Sequence, residues 1–296
     1  MSVTRLSDHF RSGSPRLSFE LFPPKTSQGV QTLLENVQRL MAFDPAFFTV
    51  TYGAGGSTQT ATLDVAQQVA NLTGRPVASH LTCVGATTEE LRQYLQLALD
   101  AGIRYIVALR GDPPKGSDSF TAVEGGLRYA NELVDLIHAN FSDFSIAVAG
   151  YPEVHQEASD RQTDLDNLKR KVDAGADIII TQLFYDNTDF YRFRDDCAAA
   201  GITVPVLPGL LPVINYKQAQ KIAGMCKAAI PASLADSMNA AETPEEEFAI
   251  GVEHARQQTI DLLENDVDGL HYYVLNRSKA ALQVLEDIQL NAVGGD

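Results

Sequence analysis

The chain has 296 residues, of which 45% are hydrophobic, so it is long enough for one large α/β barrel or for two ordinary domains. Its formal net charge of −15 disfavours nucleic-acid binding, because a protein that neutralises phosphates needs a basic surface. No apolar run approaches the roughly 20 residues that cross a bilayer, which disfavours a membrane-spanning protein.

Eight short apolar runs predict β-strands, and a helical pattern follows nearly every one. Residues 1–15 are expected to form an N-terminal extension. A helical insertion over 228–268, with its long helix at 244–265, is expected before the eighth strand. The strands are predicted at 16–22, 47–52, 76–82, 105–109, 145–149, 177–183, 204–207 and 270–275. The helices between them are predicted at 27–41, 58–72, 87–102, 127–138, 160–174, 191–200 and 217–226.

Strict alternation of apolar strands with helices predicts a parallel sheet that is covered on both faces. Eight repeats favour a closed (β/α)8 TIM barrel, and the sequence predicts an α/β fold with a single domain over 1–296. In such a barrel the carboxyl ends of the strands meet on one face, which carries the chemistry. Polar residues at these ends therefore form one candidate site: Glu20, Thr51, Tyr52, His80, Arg110, Asp112, Tyr151, His155, Gln182, Asn276 and Arg277.

Glu20 lies in the middle of an apolar stretch, SFELF. Burying an ionised carboxylate is costly, so its pKa is expected to rise. A carboxyl with a raised pKa suits a general acid that works near neutral pH. The alternative is a glutamate that pairs with a lysine or arginine at the barrel rim.

The loop Arg110-Gly111-Asp112-Pro113-Pro114 follows an apolar strand. Glycine lets backbone amides approach a ligand closely, and proline stiffens the loop. An acidic residue here is suited to setting the electronics of a bound cofactor. The alternative is a tight turn with an internal pair between Arg110 and Asp112.

Further polar residues follow the fifth and sixth strands. His155, in the loop that begins at Tyr151, is suited to donating a hydrogen bond to a phosphate or a sugar hydroxyl, or is an ordinary surface residue. Asn167 and Lys171 share a helix face that either reaches a diphosphate or is a solvated flank. The amide of Gln182 is suited either to the edge of a heterocycle or to satisfying barrel backbone.

Other features exclude several classes of protein. The glycines at 53–56 do not form the GxGxxG pattern, so a Rossmann nucleotide site is not supported. The first residues lack the apolar segment of a secretory signal. Cys83, Cys197 and Cys226 are widely spaced and form no CxxC pair, which favours reduced thiols in a cytoplasmic protein without a metal site.

Nine short sequence motifs occur along the chain in the order found in methylenetetrahydrofolate reductases. The chain resembles the compact bacterial form of that family from about residue 16 to about residue 288. The resemblance implies non-covalent FAD at the strand ends and a ping-pong reaction. NADH or NADPH reduces the flavin, and a hydride then converts 5,10-methylenetetrahydrofolate to 5-methyltetrahydrofolate for methionine synthesis. A homo-oligomer is also expected. The motifs are SFELFPPK, TVTYGAGGST, SHLTC, IVALRGDPP, AGYPEVHQEA, DLDNLKRKVDAGAD, TQLFYD, LPGLLPV and YVLNR.

The resemblance assigns roles to individual residues. Glu20 matches the general acid that protonates folate N10, and Asp112 matches the acidic residue that tunes the flavin from its pyrimidine edge. Gln182 matches the residue that bonds the pterin. Substrate contacts are also implied for Glu20, Thr51, Gln218, Ile222 and Arg277. Flavin contacts are implied for Thr51, Tyr52, Ala54, His80, Leu81, Arg110, Gly111, Asp112, Tyr151, His155, Ala158, Asp164, Asn167, Arg170 and Lys171.

The chain departs from the family pattern at two places. Ile222 stands where bacterial relatives place an aromatic gate, so only apolar packing against the substrate is expected there. The segment 116–126 also diverges, on the side of the flavin's adenine. Two other readings remain open from the sequence: a barrel lyase or transferase that acts on a pterin without flavin, and a non-catalytic module that binds flavin or folate.

Overall fold

The structure, a computed structural model, describes residues 4–10, 15–52, 59–112 and 120–288. In this part of the chain nine strands form one parallel sheet with the order β7-β6-β5-β4-β3-β2-β1-β9-β8. The strands are β1 (Arg16–Leu21), β2 (Phe47–Val50), β3 (Val77–Thr82), β4 (Tyr105–Leu109), β5 (Ser145–Gly150), β6 (Ile178–Thr181), β7 (Val206–Leu207), β8 (Gly209–Leu210) and β9 (Gly269–Tyr273).

The sheet curls into a nearly closed barrel because β7 and β8 are two halves of its seventh strand. Pro208 separates them and has no N–H to add to the ladder. Its carbonyl still accepts from the His271 N–H at 3.0 Å, so pairing with β9 continues through the break. β7 pairs with β6 while β8 pairs with β9, which closes the ring through the chain itself. The predicted (β/α)8 barrel is confirmed, and its seventh strand runs past the predicted end at residue 207.

Helices follow the strands and cover the outside of the barrel. They are α1 (Ser27–Leu40), α2 (Gln59–Thr73), α3 (Thr88–Asp100), α4 (Ala130–Asn140), α5 (Arg161–Asp173), α6 (Asn187–Ala199), α7 (Tyr216–Cys226), α8 (Ala232–Ala240), α9 (Pro244–Glu264) and α10 (Lys279–Ile288). α6 begins four residues before the predicted start at 191, because the Asp186 carboxylate caps it by accepting from the Thr188 N–H at 2.9 Å. None of the helices in the described ranges combines the length and apolarity needed to cross a membrane.

The inside of the barrel is closed at its amino-terminal end by residues 6–10. A 3-10 turn over Leu6–Phe10 buries Leu6 and Phe10 against Phe47 and inward side chains of the strands. The Phe10 and Phe47 rings meet edge to face with centroids 6.0 Å apart. The Leu6 N–H donates to Ser145 Oγ at 2.8 Å, which ties the turn to β5. The N-terminal residues therefore close the barrel bottom.

A separate apolar group covers part of the opposite, carboxyl-terminal end. We call it the mouth cluster, and its buried members come from the ends of β6 and β8 and from α7 and α8: Leu183, Tyr185, Leu211, Val213, Ala219, Ala223, Leu234 and Met238. Ile222, Cys226 and Tyr273 pack against it with partly exposed side chains. α7 is thereby held over one side of the barrel mouth.

Candidate functional site

A carboxylate and two imidazoles meet at the carboxyl-terminal end of the barrel. Glu20 Oε2 lies 3.4 Å from His80 Nε2 and 3.9 Å from His271 Nε2. All three side chains are buried, with His271 fully enclosed. They come from the neighbouring ends of β1, β3 and β9, where alternation turns every second residue inward. The alternative partner expected for Glu20, a lysine or arginine, is replaced here by two histidines.

The two histidines differ in their surroundings. Burial lowers the pKa of His80, and the neighbouring His271 acts in the same direction, while the Glu20 carboxylate opposes the shift. His271 Nδ1 forms a 2.8 Å hydrogen bond with Ser18 Oγ, which fixes the ring. Neither Nε2 atom has a hydrogen-bond partner among the described residues. Both rings therefore place Nε2 beside the Glu20 carboxylate.

Tyr273 completes this wall of the site, two residues after His271 on the same face of β9. Its hydroxyl donates to the Thr181 carbonyl at 2.7 Å, and its ring meets that of His271 edge to face at 5.2 Å. Burial raises the pKa of Tyr273 well above its ordinary value, and the Glu20 charge adds to this. Gly209 is required opposite, because a Cβ there would lie 2.7 Å from Tyr273 Cε2. Because of its raised pKa, the Tyr273 phenol stays protonated.

The opposite wall carries the predicted cofactor contacts that follow β4. Arg110 forms a two-pronged ion pair with the Glu157 carboxylate, one arm at 2.7 Å, and its guanidinium lies over the Phe120 ring at 5.0 Å. This replaces the internal pair with Asp112 that the loop sequence offered as an alternative. Gly111 has a φ of 88°, and a Cβ there would lie 2.6 Å from Val84 Cγ1. The backbone of this loop is thus held close to β3.

A polar cluster follows β5. The Asp164 carboxylate accepts from the His155 N–H at 2.9 Å, and the His155 ring meets the Tyr151 ring at 4.6 Å. Lys171 Nζ donates to the Ala149 carbonyl at 2.5 Å and lies 5.8 Å from the centroid of the Tyr151 ring. Burial lowers the pKa of Lys171 to about 8, with Asp164 opposing the shift, and burial raises the pKa of Asp164. Burial likewise lowers the pKa of His155.

Other predicted contacts stand further from this cluster. The Asn167 side-chain oxygen accepts a hydrogen bond from the Arg170 guanidinium at 2.9 Å on an exposed flank of α5, so the two side chains are partners there. Ala158 donates its N–H to the His155 carbonyl at 2.9 Å, which shapes the loop. Leu81 is fully buried in the layer between the strands and the helices, so its side chain serves packing.

The structure describes the first two residues after β2, Thr51 and Tyr52. The Thr51 N–H donates to the Leu21 carbonyl at 2.9 Å, which continues the ladder past β2. Tyr52 packs edge to face on Tyr94 at 5.7 Å. Ala54 lies outside the described residues.

The predicted substrate contacts spread around the rim. The Gln182 Oε1 accepts from the Leu183 N–H at 2.9 Å, so part of this amide satisfies strand-end backbone, as the alternative interpretation expected. Gln218 lies exposed in the first turn of α7, where its N–H is capped by Asn215 at 2.9 Å. Ile222 lies one turn further along, against the mouth cluster. Arg277 is exposed in the loop after β9.

Sequence reasoning missed Ser18, His271 and Tyr273. The signal was available in the period-two alternation of β1 and β9. Ser18 and Glu20 lie two residues apart, as do His271 and Tyr273, so each pair shares one face of its strand. What was hidden was the register that pairs Ser18 with His271 and Glu20 with Tyr273.

Comparison with known proteins gives a consistent family. A family model described as methylenetetrahydrofolate reductase matches residues 5–289. The 5,10-methylenetetrahydrofolate reductase of Escherichia coli (strain K12) is 43% identical over 273 residues, covering 92% of this chain and 90% of that protein. Methylenetetrahydrofolate reductase (NADH) 1 of Arabidopsis thaliana is 40% identical over 299 residues and covers 97% of this chain. This chain covers 50% of that plant relative, so it spans about half its length.

Solved structures with low sequence identity share the fold. An uncharacterized protein from Clostridium thermocellum, which binds two copies of 5-methyl-5,6,7,8-tetrahydrofolic acid, superposes with a TM-score of 0.65 at 17% identity. The match covers 95% of this chain and 97% of that one. Oxaloacetate acetylhydrolase in complex with oxalate superposes with a TM-score of 0.54 at 11% identity, covering 98% of this chain and 87% of that one. At these identities the likeness concerns the barrel alone.

Proposed function

The chain belongs to the methylenetetrahydrofolate reductase family, and from that premise we propose that it reduces 5,10-methylenetetrahydrofolate to 5-methyltetrahydrofolate, with FAD as cofactor and NADH or NADPH as electron donor. The observation that carries the proposal is the buried Glu20 beside His80 and His271 at the carboxyl-terminal end of the barrel. This is the end at which barrel enzymes hold their substrates. An acid without a fixed cationic partner is what protonation of a folate nitrogen requires.

The residues on the β4 and β5 side suit the negatively charged FAD. An ammonium has three donors, and Lys171 uses one of them on the Ala149 carbonyl among the described contacts. Because burial disfavours its charged form, an anion nearby would restore the charge. Arg110 adds a second cation on this side, and a phosphate that took its two-pronged face would have to displace the Glu157 carboxylate that holds it now. Bound FAD would supply a ring that takes two electrons from a nicotinamide and delivers hydride to the folate.

The protein's own part in the reaction centres on one proton. The Glu20 carboxyl donates it to folate N10, which opens the five-membered ring to an electrophilic iminium. Burial lowers the pKa of His80 and keeps it neutral near pH 7, so the described ion pairs of Glu20 include no permanently charged cation. The Asp112 carboxylate stabilises the cationic iminium. The side-chain amide of Gln182 forms hydrogen bonds with the edge of the pterin and so holds the one-carbon unit of the folate in place.

Anaerobic mixing of the purified protein with each donor tests this function. Adding NADH, and separately NADPH, should bleach the visible flavin band, and adding methylenetetrahydrofolate should restore it. The faster bleaching would identify the donor. A protein that neither binds FAD nor turns over the folate would contradict the proposal and favour a flavin-free pterin lyase or transferase. A flavin that is reduced but never reoxidised by the folate would favour a binding module.

A further inference from the structure

The loop that follows β9 has an unusual backbone. Leu275 has a φ of 47° and Asn276 a φ of 57°, so two consecutive non-glycine residues lie in the left-handed region. Asparagine tolerates this conformation better than most residues, whereas leucine adopts it rarely. Such a conformation persists only where the surrounding contacts hold it, and it clusters at functional sites. The contacts of Asn276 show what holds it here.

The side chain of Asn276 pairs with the backbone at the end of β1. Its Nδ2 donates to the Phe22 carbonyl at 2.7 Å, and its Oδ1 accepts from the Phe22 N–H at 2.8 Å. The amide thus takes the place of a strand residue. It extends the pairing of β1 with β9 beyond the last backbone pair, Glu20 with Tyr273. Since Phe22 is two residues from Glu20, the loop is fixed to the strand that carries the acid.

A second set of bonds fixes the same loop from α1. Asn36 Nδ2 donates to the Asn276 carbonyl at 3.0 Å, and Asn36 Oδ1 accepts from Ser278 Oγ at 2.9 Å. Ser278 is buried, whereas Arg277 between the two anchored residues is exposed. The Arg277 N–H also donates to the Val274 carbonyl at 2.7 Å. The backbone of Arg277 is therefore held on both sides, while its side chain is exposed.

We propose that Asn276 is a positioning residue that sets the distance between Arg277 and Glu20, so that Arg277 binds the carboxylates of the folate glutamate tail while the acid reaches N10. The inference rests on the proposed function, since it takes a folate as the substrate. Guanidinium pairs with carboxylates in a defined planar geometry, so a shifted loop loses the pair even though the charge remains. Asn276 acts through Arg277 and Phe22 without touching the substrate.

The test compares Asn276→Gly with Asp266→Gly in the FAD-loaded enzyme. Both replace a left-handed residue by glycine, which adopts that conformation freely, but Asp266 lies exposed before β9 at the opposite end of the barrel. Asn36→Ala gives a second variant, on a helix where alanine is favoured. Two substrates are used, methylenetetrahydrofolate and methylenetetrahydropteroate, which lacks the glutamate. Oxidation of the nicotinamide with menadione as acceptor reports the reaction that needs no folate.

Asn276→Gly should raise the KM for methylenetetrahydrofolate about tenfold, since a charge-assisted hydrogen bond contributes on the order of one decade in affinity. The preference in kcat/KM for the glutamate form over the pteroate form should shrink, with menadione reduction unchanged. Asn36→Ala should act in the same direction and Asp266→Gly should match the parent. An unchanged preference in Asn276→Gly, or a parent without any preference, would overturn the inference. A parent that reduces neither folate would instead overturn the proposed function.

Discussion

Glu20 stands between two imidazoles that are held differently. Ser18 fixes the Nδ1 side of His271 at 2.8 Å, while burial keeps His80 neutral. Both present Nε2 to the same carboxylate oxygen, at 3.4 Å and 3.9 Å. A carboxylate in such a place has proton acceptors beside it and no permanent cation among its described ion pairs. The proton transfer that we propose for Glu20 would therefore not require a strong salt bridge among these pairs to break.

Glu20→Gln keeps the size of the side chain and removes the acid. Reduction of methylenetetrahydrofolate should fall about 10²–10⁴-fold, the usual contribution of a positioned general acid. Flavin reduction by the nicotinamide needs no proton on folate N10 and should stay close to that of the parent. Stopped-flow absorbance of the flavin band measures the two half-reactions separately.

Glu35→Gln provides the matched control for this substitution, because Glu35 is an exposed glutamate on the outer helix α1. Its two half-reactions should equal those of the parent. Loss of both half-reactions in Glu20→Gln, with Glu35→Gln unaffected, would mean that Glu20 supports the fold or the flavin and is not the acid.

Part of this site was predictable from the sequence, because some of its residues stand at the end of a predicted strand. Glu20 and His80 were expected because each ends an apolar run, and a polar residue there is unusual. The hydrogen bond between Ser18 and His271 joins residues 253 apart, and such a contact depends on strand register, which a single sequence does not reveal. The pair of Arg110 with Glu157 was missed for the same reason, because its partners come from separate loops.

At the scale of elements, the barrel followed from alternation alone, while two details depended on particular residues. The seventh strand was expected to stop at residue 207, with a loop over 208–212 after it. It resumes as β8 because the Pro208 carbonyl still accepts from His271 and the following residues pair with β9, while the Gly209 N–H donates to the Thr181 hydroxyl of β6 at 2.8 Å. The turn over Leu6–Phe10 was hidden in an extension with few apolar residues, and only the closed barrel gives those residues a place to pack.

The N-terminal turn should therefore contribute to stability without contributing to catalysis. Phe10→Ala removes the ring that packs on Phe47 and should lower the free energy of unfolding by about 3–5 kcal/mol. Flavin reduction in the folded variant should match the parent, because the turn closes the end of the barrel opposite the chemistry. Urea denaturation measures the first quantity and absorbance of the flavin band measures the second.

Leu97→Ala serves as the control for Phe10→Ala. Leu97 is 56% exposed on α3, so its loss should cost within about 0.5 kcal/mol. Equal stability of the two variants would contradict the role given to the turn over Leu6–Phe10.

The whole molecule separates its two tasks along the barrel axis. The amino-terminal end is closed by the turn over Leu6–Phe10, whereas the carboxyl-terminal end brings together the buried side chains of Glu20 and His80. Burial lowers the pKa of four histidines spread over the molecule: His9, His80, His155 and His254. A group whose pKa is lower in the folded state makes the unfolded chain bind more protons between the two values, so stability falls as pH falls.

His254 offers a test of this acid sensitivity away from the Glu20 site. Its Nε2 donates to the Tyr185 carbonyl at 3.1 Å, and burial outweighs that bond in lowering its pKa from 6.5. The free energy of unfolding should fall as pH drops through 6.5 toward the lowered value, by at most about 1.4 kcal/mol per pH unit for one proton. His254→Gln keeps an amide donor for the carbonyl but does not titrate, so its urea-unfolding free energy should depend less on pH. Carboxyls whose pKa is raised by burial, such as Asp164, oppose this fall in stability, and they do so equally in the parent and in His254→Gln. An identical pH dependence of the unfolding free energy in the parent and in His254→Gln would show that His254 does not contribute.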